Sequence, residues 1–264
     1  GSRNGDLDTK YSELKPIALI LNDRNRQIEQ NMKEIRAEKE AVERAKQSKD
    51  ELVANITHEM NTPLTSIKGF SELLLREGLS AEQKEQALLT INRQSERLSD
   101  LVASIIHYSE IDNDELPSYE VSLSALAEET IEEFLPRIRE RNLTLTADIA
   151  PGVTLNSRQE RITAILENLI GNAIRYNKEG GALRISVSGA RSPVLVVEDT
   201  GIGIAEENLD KIFSRFFTVD KSHSGKGGGF GLGLAVVKKL CTRFDWRITV
   251  ESKEGEGTKF TVYF

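Results

Sequence analysis

The sequence predicts an α plus α+β chain: an N-terminal coiled-coil stalk, an antiparallel helical hairpin that dimerises to a four-helix bundle, and a two-layer α/β sandwich. Three observations predict it. A seven-residue apolar register runs from Leu14 to about Lys49, an apolar stripe at three-to-four spacing follows, and helix-period and strand-period segments alternate beyond residue 119. The 264 residues are 38% hydrophobic and 29% charged, enough for one or two packed domains beside an elongated element.

In the stalk, Leu14, Leu21, Ile28, Ile35, Val42 and Lys49 fall at one seam position and Ala18, Asn25, Met32, Lys39 and Lys46 at the other. Polar residues in a seam weaken it but favour a defined register, commonly in a two-stranded assembly; the alternative is a single solvated helix. Near residue 49 the apolar phase shifts, as in a stutter. The stripe then runs through Leu52, Ile56, Met60, Pro63 or Leu64, Ile67, Phe70 and Leu74. A second helix is expected to start at Ser80, with Gln83 completing a capping box, and to bury Leu88, Ile91, Leu98, Val102 and Ile105. One hairpin leaves its apolar face uncovered, so pairing with a second copy into a four-helix bundle, and hence a homodimer, is expected.

The polar "NDELPSY" at 113–119 marks a domain boundary. The expected divisions are 1–49, 50–114 and 119–264. Beyond the boundary come helical "SALAEETIEEFLPRIRER", strand-like "LTLTADI", helical "RQERITAILENLIGNAIRYN", strands "LRISVSG" and "VLVVED", a glycine-rich stretch, helical "LGLAVVKKLCTRF", and paired strands "WRITVESK" and "GTKFTVYF".

Composition excludes several classes. A formal net charge of −7 and a pI near 5.3 give no overall basic field for a phosphate backbone, so nucleic acid is not expected as a partner. Cys241, the single cysteine, leaves no intramolecular disulfide and no cysteine-rich zinc site, and suits a reducing cytosol. "PIALIL" at 16–21 is far short of the roughly 20 residues that span a bilayer. The opening "GS" reads as a cloning remnant before polar helix-like residues, so a region upstream of it is expected.

The chemistry starts at "NITHEMNTPL", 55–64. At about 100° per residue, His58 lies roughly 200° from Ile56 and Met60, opposite the core stripe. A neutral imidazole is a good nucleophile, and Glu59 can hold its tautomer and accept its second proton. Pro63 lacks a backbone donor and can loosen the helix just after the site. Asn168 and Asn172 share a helical face with Arg175 and Tyr176 beside it. Amide oxygens suit Mg²⁺, arginine grips phosphate and tyrosine packs near a base or ribose, although such an asparagine pair also commonly ties a helix to a loop. In "VEDTGIGI", Asp199 ends a strand as an acceptor for an exocyclic amine, and Gly201 and Gly203 let backbone approach a flat ring; a plain turn is the other reading. "GKGGGFGLGLAVV" runs from glycines into a helix whose exposed N–H groups favour phosphate, but it is neither a P-loop nor a dinucleotide fingerprint.

Together these segments resemble the two-component sensor histidine kinases, from about residue 48 to 264. "NITHEMNTPL" looks like the phosphoacceptor box, "NLIGNAIRYN" the asparagine box, "DTGIGI" the adenine-side glycine box, "IFSRFFTVDKS" the phenylalanine box, "GGGFGLGLAVV" the lid glycine box and "GEGTKF" the closing strand motif. The order and spacing of the boxes make the resemblance specific. It implies a sandwich of the GHKL ATPase/kinase type, with ATP and Mg²⁺ as cofactors.

By this resemblance His58 accepts the γ-phosphoryl group of ATP and Glu59 is the general base. Asn172 ligates Mg²⁺ with Asn168 assisting, Arg175 and Tyr176 line the phosphates and sugar, Asp199 binds the adenine amine, and Gly201 and Gly203 belong to the same adenine-side box. Arg215 reaches toward the transferring phosphate, Gly229, Gly231 and Gly233 hinge the lid, and Lys221, Leu232 and Thr258 fall in the nucleotide-binding boxes. Phosphoryl transfer needs positioning and charge neutralisation more than covalent help, which a metal and arginines supply. The family passes the phosphoryl group to an aspartate on a response-regulator receiver domain. Thr62 matches the position that orients water for dephosphorylating that regulator. The resemblance also implies an upstream sensor or transmembrane region, and as localisation the cytoplasmic portion of a membrane-anchored bacterial sensor.

Some positions depart from the family pattern. Met60 and Asn61 stand where leucine and arginine are common, leaving one fewer cation near the acceptor. Thr218 replaces a frequent basic residue, Phe230 a small hydroxyl residue, and "LNSRQERI" lacks the usual capping aspartate. His107 and His223 are expected to be packed or solvated, and Cys241 and Trp246 to pack the sandwich core. A nucleotide-hydrolysing relative of the same fold would explain the glycine and asparagine boxes but not "THEMNTP" on a hairpin. A non-catalytic nucleotide-binding adaptor would not need His58, Glu59, Asn172 and Asp199 together.

Overall fold

In a computed structural model, residues 5–111, 116–189, 191–218 and 230–264 are described. The chain falls into two units, Gly1–His58 and Glu59–Phe264, and the division lies inside one helix, α1 (Gly5–Leu74).

In the first unit the expected seam is present and uncovered. Ile28, Met32, Ile35 and Val42 are all exposed, with Ile35 and Val42 at 63%. The expected seam side chains of Leu14, Ala18 and Leu21 lie outside the described residues. Helical stability comes mostly from packing of an apolar face, so this seam is a surface for another helix to cover.

In the second unit α1 continues through a buried Pro63 to Leu74, and α2 (Ala81–Glu110) returns. The Ser80 hydroxyl accepts from Gln83 N at 3.2 Å and the Gln83 side chain accepts from Ser80 N at 3.0 Å, which is the expected capping box. The expected α2 stripe needs correction. Ile91, Leu98 and Ile105 are half-buried, but Leu88 and Val102 are 58% and 41% exposed, while the fully buried positions are Ala87 and Leu101. A two-helix hairpin covers only the side of each stripe that faces the other helix, and the rest of the apolar face stays open.

The remaining elements are β1 (Tyr119–Ser122), α3 (Leu123–Glu140), β2 (Thr144–Ile149), β3 (Thr154–Ser157), α4 (Gln159–Arg175), β4 (Ala182–Ser188), β5 (Val194–Asp199), α5 (Gly233–Arg243), β6 (Arg247–Lys253) and β7 (Gly257–Tyr263). Five strands form one sheet in the order β2-β4-β5-β7-β6, parallel only at β2–β4. β1 and β3, absent from the sequence expectation, pair antiparallel as a separate ribbon. Four residues each are too few for alternation to show.

One sheet face packs on α3, α4 and α5. Leu183, Ile185 and Val187 of β4, Leu195 and Val197 of β5, and Phe260 and Val262 of β7 alternate inward. Ile162, Ile165, Leu166, Leu169, Ile170 and Ala173 of α4 meet them at helical spacing. Cys241 is buried in this core as expected, and Trp246 packs at its margin, its ring 5.3 Å from Phe244 and 5.0 Å from Phe264. The buried Arg161 guanidinium donates to Ser118 Oγ at 2.8 Å and to the Leu116 carbonyl at 3.0 Å, tying the interdomain segment to α4.

Candidate active site

His58 is exposed on α1 and closes the first unit, as its angular position predicts. Thr62 and Asn61 are exposed on the same helix at the start of the second unit. Glu59 is half-buried, and its Oε2 lies 3.9 Å from Nη2 of Arg97 on α2. The Arg97 guanidinium in turn stands 5.4 Å from the centroid of the Phe230 ring. Sequence reasoning missed Arg97, one charge among many on an amphipathic helix; the only available signal was its level opposite Glu59 in an antiparallel hairpin.

The second cluster lies at the end of β5. Asp199 is 7% exposed, and its carboxylate accepts from Gly201 N at 2.8 Å. Burial pushes its pKa up to about 6, against the opposing effect of hydrogen bonds from the Gly201 and Thr258 backbone. A Cβ on Gly201 would lie 2.2 Å from the Tyr176 carbonyl oxygen, so only glycine admits this approach. That carbonyl accepts from Ile202 N at 3.0 Å, pinning the glycine turn to the end of α4. Gly203 takes φ +65°, with its Cβ direction closed by the Lys253 carbonyl. Thr258 is buried, pairs in register with Asp199, and its hydroxyl lies 2.8 Å from Ser252 Oγ.

A third set braces this turn. Asn177, 5% exposed, donates to the Ala182 carbonyl at 3.0 Å and accepts from Lys178 N and the Thr200 hydroxyl. Thr200 Oγ1 accepts from Ala182 N at 2.8 Å. Asn177 and Thr200 sit inside the quoted boxes, yet nothing in their spacing distinguishes a bracing role.

On α4, Asn172 is half-buried, Arg175 exposed and Tyr176 half-buried at the C-cap. Asn168 Nδ2 donates to the Ala164 carbonyl at 2.6 Å, and a Cβ on Gly233 would lie 2.3 Å from Asn168 Oδ1. Gly233 therefore begins α5 in tight contact with the Asn168 side chain of α4. Gly231 carries the positive φ, +68°, in the turn before it, and Leu232 is a buried N-cap with no side-chain cap bond. An uncapped helix start leaves N–H donors and the positive dipole end for an anion. The Arg215 guanidinium lies 5.9 Å from the ring centroid of Tyr108 on α2. His107 is exposed beside it and lowers the pKa of Glu167, which burial and Glu133 raise. Lys221, His223 and Gly229 lie outside the described residues.

The cluster can hold an adenine nucleotide. A buried carboxylate acceptor, a glycine turn held tight against neighbouring backbone, and an uncapped helix N-terminus are the kinds of group that meet a base amine, a flat ring and phosphates respectively. The amide of Asn172 is a hard-oxygen donor of the kind Mg²⁺ accepts.

Residues 48–114 match the family model of the His Kinase A (phospho-acceptor) domain, and residues 157–264 that of the histidine kinase-, DNA gyrase B- and HSP90-like ATPase. The sensor histidine kinase RppB of Synechocystis sp. is 33% identical over 221 residues, covering 82% of this chain and 49% of that protein. Among solved structures, full-length ShkA in complex with AMPPNP matches with a TM-score of 0.59 at 27% identity, over 81% of this chain and 45% of ShkA. The histidine kinase ThkA in complex with the response regulator TrrA matches with a TM-score of 0.67 at 25% identity, over 81% of this chain and 60% of ThkA. The chain spans about half the length of the curated relatives it matches.

Proposed function

The chain belongs to the two-component sensor histidine kinases, and from that membership we propose that it autophosphorylates His58 from ATP and passes the phosphoryl group to an aspartate of a response-regulator receiver domain. The observation that carries the reading is the buried Asp199 carboxylate pinned against the Gly201 turn, in a chain that also presents an exposed His58. Mg²⁺-bound ATP, when present, supplies the γ-phosphoryl group and part of the charge neutralisation.

The residues divide the work. Asp199 accepts the adenine amine, Gly201 and Gly203 hold the tight turn beside it against the Tyr176 and Lys253 carbonyls, and the start of α5 from Leu232 and Gly233 faces the phosphates. Asn172 would hold Mg²⁺ with Asn168 beside it, Arg175, Tyr176 and Arg215 attend the sugar and phosphates with Gly231 and Thr258, and Lys221 and Gly229 are assigned to the nucleotide by their sequence boxes alone. One ring nitrogen of His58 forms the new N–P bond as the β–γ bridging P–O bond breaks, ADP leaves with that electron pair, and the proton on the other ring nitrogen passes to Glu59. Thr62 orients water for the reverse task of dephosphorylating the regulator.

The working unit is a homodimer. Leu64, Leu88, Val102 and Ile106, all exposed on the hairpin, supply an apolar face for a second copy, and Ile28, Ile35 and Val42 supply a seam in the first unit. Residues 1–49 then form the signalling stalk, 50–114 the dimerisation and phosphotransfer hairpin, and 119–264 the catalytic domain. No helix among the described residues is long and apolar enough to cross a membrane. The reading places this chain as the cytoplasmic portion of a membrane-anchored bacterial sensor.

Incubation with γ-labelled ATP and Mg²⁺ tests the proposal: the wild type acquires acid-labile, alkali-stable label and His58→Ala acquires none. Label retained by His58→Ala, or ATP bound and turned over to free phosphate without labelling, overturns it.

A further inference from the structure

Three neighbours in the second unit form a chain of contacts that the kinase assignments do not use. Glu59 begins the unit next to His58 in sequence, and its carboxylate faces Nη2 of Arg97 at 3.9 Å. Arg97 lies over the ring of Phe230, the residue just before the left-handed Gly231 and the α5 N-terminus, at 5.4 Å. The two side chains of the ion pair are 28% and 18% exposed, so their attraction is less screened than that of a surface pair. Arg97 Nε is buried with no hydrogen-bond partner among the described residues. A buried unsatisfied donor costs stability, so this guanidinium is not placed where its own hydrogen bonding would be best. It is placed where its Cζ stands over the Phe230 ring and its Nη2 faces the Glu59 carboxylate. Phe230 is also one of the positions where the chain departs from the small hydroxyl residue frequent in the family, and a small hydroxyl residue could not offer that face.

We propose that Arg97 is a positioning residue for the Glu59 carboxylate, held in place by Phe230, so that the entry to α5 and the proton acceptor beside His58 are linked through one side chain. The inference rests on the kinase reading. Its chemistry is orientation: a planar guanidinium fixed on an aromatic ring restricts where the carboxylate can sit, and a general base loses rate when it drifts from the proton it must take.

The test measures autophosphorylation of the full chain with ATP and Mg²⁺, resolving kcat from KM. Arg97→Ala is expected to lower kcat about tenfold with KM for ATP within about twofold. Phe230→Ala is expected to shift kcat the same way by about threefold, and Phe230→Tyr to restore it, because the ring face is what matters. In a Glu59→Gln background, Arg97→Ala is expected to cost less than about twofold more, since a residue that acts through Glu59 has nothing left to position. An equal loss in both backgrounds, or an effect confined to KM, overturns the inference. Should Arg97→Ala fail to fold by circular dichroism, Arg97→Gln and Phe230→Leu carry the same comparison. A wild type that labels no histidine overturns the kinase reading itself, whereas a labelled wild type indifferent to Arg97 overturns only this link.

Discussion

The Lys239 ammonium donates to the Tyr108 carbonyl at 2.8 Å and stands 3.9 Å from the centroid of the same residue's ring, so one α5 side chain grips both the backbone and the aromatic face near the end of α2. Arg215 shares that ring from 5.9 Å, and Ile111, one helical turn on, is 7% exposed within the sandwich core. The hairpin and the catalytic fold are thus joined by an aromatic post with two cations on it. Removing the ring leaves the carbonyl bond and deletes both cation–π contacts. Tyr108→Ala is expected to lower stability by roughly 1–2 kcal/mol and to speed amide exchange over the last turn of α2. Thermal melts and hydrogen exchange check it; Tyr108→Phe, which keeps the ring, should lose less stability than Tyr108→Ala.

The glycine box gives a sharper test, because a single methyl separates two kinds of glycine. A Cβ on Gly201 would meet the Tyr176 carbonyl oxygen at 2.2 Å and Asp199 Oδ1 at 2.8 Å, neither of which can retreat without breaking the turn. Gly201→Ala is expected to destabilise by roughly 1–3 kcal/mol and to weaken ADP binding at least tenfold. Gly69, in the exposed face of α1, has nothing within 4 Å of its Cβ direction, so Gly69→Ala is expected to stabilise by about 0.5–1 kcal/mol. Denaturant titration of the pair, with calorimetric titration of ADP, separates the two outcomes.

What could be read from the sequence was what depends on local period and local chemistry. The Ser80 cap, the α4 stripe and the alternation of β4, β5 and β7 each repeat often enough to declare themselves, and His58 could be placed on the solvent side by angle alone. The β1–β3 ribbon was not legible, since its pairing of Val121 with Leu155 spans a helix and another strand. Leu88 and Val102 followed the helical period correctly yet lie exposed, because period gives a face and not what covers it. The same holds at the site. Asp199 and Gly201 carry their chemistry in type and order, whereas Arg97 meets Glu59 and Phe230, and Thr200 meets Ala182 and Asn177, across stretches that no local pattern spans.

Cys241 should be silent to thiol reagents in the native state. It is 1% exposed on α5, and burial pushes its thiol up to about 11, so almost no thiolate forms near neutral pH and none is accessible. A colorimetric thiol assay is expected to read no reactive group at pH 7 and one per chain in denaturant. Rapid labelling without denaturant would mean that α5 opens from the sheet.

In the proposed reading Asp199 couples nucleotide binding to pH, and the sign follows from its burial. Its carboxyl titrates near 6 in the folded chain against an ordinary value of 3.8, so between about pH 4 and 6 the native state holds more proton than the unfolded state. Stability therefore falls as pH rises through that window, and the ionised carboxylate costs roughly 1–3 kcal/mol at pH 7. Asp199→Asn keeps an acceptor for Gly201 N while removing the charge, so its gain over wild type in thermal midpoint is expected at pH 7 and to vanish near pH 4. An adenine amine donates to the carboxylate and favours the ionised form, which reverses the trend for the complex: ADP affinity is expected to weaken as pH falls below about 6, with proton release on binding in that range. Calorimetric titrations of ADP at pH 5.5 in two buffers of different ionisation enthalpy measure that release directly. The Asp199→Asn chain, left with an amide that repels the adenine amine, should bind at least tenfold more weakly at pH 7. Equal heats in both buffers would show that the carboxylate is already ionised before the base arrives.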